Sequence, residues 1–197
     1  MSQPPTTPLA EAVVDLAFPH RWQAEILRAR PAILPAQRFV YPRHAEEVER
    51  GALEVLIRPA GAQAQPFLAT CALGFRDPAV PTGIWSCPQP DQICTVSGGY
   101  AYVIDTLEPE RFTMIPFRPV LAVRSHPQLG LLLFVGHHAI LAWDANGQRW
   151  RSEKLSDEGV TISSVEEGML YGLGWSVMTD KETAFALDLC TGLKIQQ

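Results

Sequence analysis

His137 and His138 stand side by side in "FVGHHAI" and offer two imidazoles for proton transfer or ligand contact near neutral pH. Trp175 in "GLGWSV" and Tyr100 in "SGGYAY" offer aromatic faces after similar glycine-containing stretches. Asp180, with Lys181 and Glu182 in "VMTDKET", adds carboxylates. Tyr100, His137, His138, Trp175 and Asp180 are therefore the candidate ligand-binding residues, and no catalytic set is assigned. An imidazole with a carboxylate beside an aromatic ring could serve a hydrolase or lyase, here His137 or His138 with the Asp180–Glu182 loop. Adjacent residues of a strand point to opposite faces, so both histidines share one pocket only across a bulge.

Other chemistry finds little in the chain. A metal centre would need His20 or His126 to join one of these histidines and a carboxylate, and no spaced ligand motif supplies that set. His44, like His20, lies in an irregular N-terminal stretch. Of the four cysteines, only Cys87 and Cys94 are close, at neither a zinc-ribbon nor a redox spacing. They read as buried free thiols; the alternative, a Cys87–Cys94 disulfide, requires an oxidising compartment. Either thiol beside His137 would imitate a thiol–imidazole pair, if the fold brought them together. A nucleophile elbow, a dinucleotide fingerprint, a phosphate loop and the HExxH metal motif are all missing from the sequence. Neither a metal nor a cofactor is expected.

The elements that must position these residues recur. "AYVIDTLEPERFTMI" (101–115), "AILAWDANGQRWRSE" (139–153) and "AFALDLCTGLKI" (184–195) each carry alternating apolar residues, an aspartate, a polar turn and a second strand-like run. The aspartates are Asp105, Asp144 and Asp188, 39 and 44 residues apart. Periods near 40 residues with four short strands per unit mark propeller blades. An aspartate at a strand end accepts backbone N–H groups of the following turn, so these three read as structural. Superposing the units puts Gly98, His137 and Trp175 at equivalent corners between second and third strands, on one rim. "SVMTDKET" is an insertion at that corner of the last unit. Trp143 and Trp150 flank a turn read as type I′ at Asn146–Gly147, and stacking across the hairpin is expected. An exposed tryptophan platform for a glycan, as in a lectin, is the alternative.

"FALDLCTG" resembles the third-strand and turn segment of pyrroloquinoline-quinone-type propeller repeats, and the unit lengths are similar to tryptophan–aspartate repeats. The resemblance implies blades. The quinone enzymes close a larger ring than this chain has length for, so no cofactor is carried over.

The expected fold is all-β: a propeller-like array of three to four four-stranded antiparallel blades, in a small or incomplete ring. Its units run 51–81 (partial), 82–118, 119–156 and 157–197. "GALEVLIRPAG" and "PFLATCALGF" give the partial unit two strands and no others. Residues 1–50 are expected to pack on the array as a Pro-rich segment with a short helix over "HRWQAEILRAR" (20–30), where Trp22, Ile26 and Leu27 share a face.

Hydrophobic residues at 47% and charged residues at 19% describe a globular chain, and 17 prolines with 14 glycines suit many short strands joined by turns. The net charge of −5 without basic runs argues against nucleic acid. The longest apolar run, "LGLLLFVG", has strand length, so no membrane span is expected. The N-terminus has no basic region before its apolar segment, which favours the cytoplasm. The functional expectation is a non-catalytic binding or scaffold module that recognises a protein or small ligand through one rim. Homodimers through exposed edge strands are a further expectation.

Overall fold

The structure, a computed structural model, describes residues 12–28, 33, 35–43, 51–61 and 64–195. It is all-β, with sixteen strands among the described residues. Strands β2 (Trp22–Leu27), β3 (Gln37–Tyr41), β4 (Ala52–Pro59) and β5 (Phe67–Ala72) form the first sheet, ordered β2-β4-β5-β3. The second holds β1 (Val13–Asp15), β6 (Gly83–Ser86), β7 (Gln92–Ser97), β8 (Tyr100–Asp105) and β9 (Phe112–Met114), in that order. The third is the meander β10 (Ala122–His126), β11 (Leu131–Val135), β12 (Ile140–Asp144) and β13 (Gly147–Arg151). The fourth has β14 (Val160–Glu166), β15 (Met169–Ser176) and β16 (Lys181–Asp188), with one further bridge from Leu187 to Lys194.

The sheets stack face to face in this order around three apolar cores. Ile84, Ile93 and Ile104 of the second sheet meet Val55, Ile57 and Phe67 of the first. Its other face sets Trp85, Cys94 and Val103 on Val123, Leu132 and Phe134 of the third. The third then packs Leu131, Leu133 and Trp150 on Leu170, Phe185 and Leu187 of the fourth. Consecutive residues of β7 and β11 thus serve alternate cores, which is why these strands read as unbroken apolar runs. Each fully buried Ile, Leu or Val contributes roughly 1.5–3 kcal/mol. This stack of small, mostly antiparallel sheets is propeller-like.

Several expectations are corrected. The stretch 20–30 is a strand over Trp22–Leu27, not a helix; residues 29–31 lie outside the described residues. An isolated helix of this length is marginal. Alternation works instead: Trp22, Ala24 and Ile26 turn to the core while the strand pairs with β4 along six residues. Leu27 therefore does not share their face. Trp22 Nε1 donates to the Gln92 carbonyl at 3.0 Å, and Arg21 pairs with the buried Asp91 carboxylate, its Nε at 2.9 Å. His44 is outside the described residues.

Nor does the segment before residue 50 merely pack on the array. Its strands β2 and β3 flank the β4–β5 hairpin and fill the places expected to be vacant. β3 runs parallel to β5, whereas β2 runs antiparallel to β4. β1 adds a parallel fifth strand to the second sheet. A Cβ at Gly83 would collide with the Val13 backbone, so glycine permits this approach. The sheets are accordingly not uniformly four-stranded or antiparallel.

Trp143 and Trp150 do not stack across their hairpin. A register shift between Ala142 and Trp143 pairs Trp150 with Ala142, so the two rings enter different cores. Both are buried, at 6% and 8% exposure, which leaves no tryptophan platform there. The hairpin closes at Asp144–Gly147, so its turn residues are Ala145 and Asn146. The cysteines Cys71, Cys87 and Cys94 are buried free thiols without a disulfide, and Cys190 is an exposed one.

The recurrent aspartates cap turns. Asp105 Oδ1 accepts the Leu107 and Glu108 N–H groups at 2.9 and 3.0 Å. Asp144 Oδ1 accepts Asn146 N–H at 2.7 Å, and Asp188 Oδ1 accepts those of Cys190 and Thr191 at 2.6 and 3.1 Å. Replacing Asp188 by Ala should cost about 1–2 kcal/mol in urea unfolding; an unchanged midpoint would show that the turn holds without its carboxylate. A second prediction concerns alkali. Burial pushes the Cys71 thiol from its ordinary 9.0 up to about 12, and raises Cys87 and Cys94 as well. Groups whose folded pKa is raised stabilise fully below the unfolded value and lose that contribution as pH climbs toward the folded one. The urea midpoint should therefore fall from about pH 9 upward, and Cys71→Ala should flatten the decline.

Candidate functional site

In each of the last three sheets the corner between the second and third strands lies at the end where chain crosses from sheet to sheet. Backbone hydrogen bonds tie corner to crossing. Gly74 and Phe75 donate to the carbonyls of Ser97 and Gly98, and Val120 donates to that of Gly99. In the next sheet Leu121 donates to Val135 and Leu155 to His138. In the last, Asp157 donates to the carbonyl of Trp175. The first of these corners is a two-residue turn with φ +54° at Gly98 and +77° at Gly99, a region that side chains disfavour. The corners and crossings together make one face.

Tyr100 opens β8 immediately after this turn. Its ring meets Phe75 edge-on, with centroids 5.9 Å apart, and the Arg118 guanidinium lies 5.4 Å above its centroid. Arg118 also donates to the Met114 sulfur at 3.2 Å. Phe117 packs on Gly136, and Arg151 sits 5.1 Å above the Phe117 ring. His137 and His138 occupy the turn itself, not a strand, since Gly136 N–H bonds to the Ala139 carbonyl. Their rings are 6.1 Å apart, so the alternation expected to separate them does not apply. His138 Nδ1 is 3.1 Å from the Ser156 carbonyl.

Trp175 is not a corner residue. It lies in β15 opposite Glu182, and the corner is the turn Val177–Asp180. The last hairpin is longer than the others, which displaces the tryptophan from the position that superposition assigns it. Ser156 Oγ accepts its N–H at 2.8 Å and that of Glu158 at 3.1 Å. Ser156 thus lies between His138 and Trp175. Asp180 is exposed in the turn with φ +53°. Asp157, in the crossing, has its pKa lowered first by Lys154, then by the Val177 N–H, with a smaller contribution from His138.

The structure therefore links Tyr100 through Arg118 and Phe117 to the His137–His138 turn, and His138 through Ser156 to Trp175. Asp180 stands apart at the hairpin tip. Sequence reasoning missed Phe75, Arg118, Arg151, Ser156 and Asp157. All but Arg151 belong to the crossings, which lie between repeats and carry no repeated motif.

Two cavities lie among the described residues, the first bordered by the crossing residues Pro78, Thr82 and Leu121. One of about 490 Å³ opens between the second and third sheets, beside Asp15, Trp85 and Ser125, with Asp15 Oδ2 accepting the Ser125 hydroxyl at 2.9 Å. Another, of about 330 Å³, lies beside Gln92, Arg111 and Trp143. Neither is lined by Tyr100, His137, His138, Trp175 or Asp180. Cys87 and Cys94 are fully buried, out of reach of a substrate at the histidines.

Neither a protein-family model nor a curated protein matches the chain. Among solved structures, it is similar to the N-terminal domain of Nup159, at 13% identity and a TM-score of 0.37. The match covers 95% of this chain and 53% of that one, so the chain spans about half its length.

Ser156→Ala removes the buried acceptor of two N–H groups in a part-buried crossing, at a cost of about 1–3 kcal/mol. Amide exchange should quicken at Trp175 and Glu158. Unchanged protection at both would mean that the crossing is held by its backbone alone.

Proposed function

We propose that the chain is a non-catalytic binding module, a small incomplete propeller of four blades that recognises a partner protein through its corner face. The observation that carries this reading is apolar surface at the corners. Phe75 is 41% exposed, Val177 67% and Met178 96%. Val177 and Met178 adjoin at the tip of the β15–β16 hairpin, and adjoining exposed apolar groups on a rigid frame mark contact surfaces more than scattered ones do. Binding there asks no proton transfer of His137 or His138. It also gives the longer β15–β16 hairpin a purpose, because that hairpin carries two of the three apolar groups.

The test is affinity capture from the native host, with wild type and a Val177→Asp/Met178→Asp double variant as baits. A partner held in stoichiometric amount by the wild type and lost at least tenfold by the variant is expected, since two apolar contacts are replaced by desolvated charges. Equal capture by both would remove the corner face from recognition.

A further inference from the structure

The same face carries two arginines with an unusual environment. Arg118 lies over Tyr100 and Arg151 over Phe117, at 5.4 and 5.1 Å from the centroid, within cation–π range. A guanidinium held on an aromatic face keeps its N–H edge turned outward and loses less freedom when it binds a carboxylate. Both side chains are exposed. Among the described residues neither forms an ion pair, although Arg21, Arg58, Arg111, Arg149 and Lys154 all do. The two sites adjoin through the Phe117–Arg118 step, with Phe75 beside Tyr100 at one end and the His137 turn behind Phe117.

We propose that Arg118 and Arg151 form a recognition site for a short acidic segment of a partner protein. The charge is complementary, and the planar guanidiniums match carboxylates two hydrogen bonds at a time. The segment is short for an electrostatic reason. Further along the same face stand Glu153, Asp157, Glu158 and Asp180, only partly offset by Lys154, which pairs with Asp157, and by Lys181; this net acidic end repels an extended polyanion. That same acidic end disfavours a nucleic acid, whose phosphates continue in both directions. Phe75 offers an apolar contact beside the acidic group. The inference rests on the corner face being a binding surface and adds the chemistry of what binds.

The test uses the full chain and synthetic probes. A fluorescent octapeptide of alternating Glu and Gly is titrated at low salt, beside its Gln counterpart and an oligothymidine of equal length. The Glu peptide should bind and the Gln peptide should not. Arg118→Glu/Arg151→Glu should weaken it by about tenfold or more. Arg111→Glu, half that charge change but at the opposite end of the second sheet, should leave binding intact, and salt should weaken it. Absence of Glu-peptide binding, equal binding by the double variant, or tighter binding of the oligothymidine would overturn the proposal. Should the Val177→Asp/Met178→Asp variant still lose a captured partner in that case, the binding face would survive and only its acidic specificity would fall.

Discussion

Burial of the middle sheets on both faces is the constraint from which the rest follows. Residues of β7, β8, β11 and β12 alternate between two cores, so neither sheet has a face to give to solvent. Such a sheet is stable only between neighbours, and the chain supplies them by stepping sideways after each meander. Those steps all fall at one end, where they meet the second-to-third-strand corners. The face that carries Tyr100, His138 and Arg118 is a consequence of stacking, and its side chains are fixed by the backbone bonds that the stacking creates.

Most polar groups inside this stack are paired, Ser97 Oγ and His126 Nδ1 being the buried exceptions among the described residues. Cys71 Sγ lies 3.1 Å from Thr95 Oγ1 between the first and second sheets, and Tyr102 donates to the Ala72 carbonyl at 3.2 Å. Tyr41 reaches across to the Pro109 carbonyl at 2.7 Å. Each ties the first sheet to the second. A hydroxyl bonded across an interface fixes sliding as well as separation, which apolar contact alone leaves loose. The register of the stack thus has polar pins at its N-terminal side.

Much of the fold was legible because local rules govern it. Asp105, Asp144 and Asp188 accept turn N–H groups within three residues, so their spacing announced the hairpins without tertiary information. The region 20–30 was not legible. Trp22, Ile26 and Leu27 fit a helical face as well as Trp22, Ala24 and Ile26 fit a strand, and only pairing with β4 decides between them. One bulge, between Ala142 and Trp143, was enough to send Trp143 and Trp150 to different cores. The candidate site was half legible. Glycines and histidines marked the corners, whereas Arg118, Ser156 and Asp157 became neighbours of those corners only through the crossings.

The chain order of the first sheet has one more consequence. Its flanking strands β2 and β3 are made before the β4–β5 hairpin that lies between them. The hairpin must enter a gap whose two walls are already part of the polypeptide, and it is gripped on both sides by sequence that precedes it. A proteolytic cut that freed residues 22–41 would bare both hydrogen-bonding borders of that hairpin at once. Two unsatisfied borders on an apolar ribbon invite intermolecular pairing. The N-terminal stretch thereby moves the free borders of this sheet from the β4–β5 hairpin to β2 and β3.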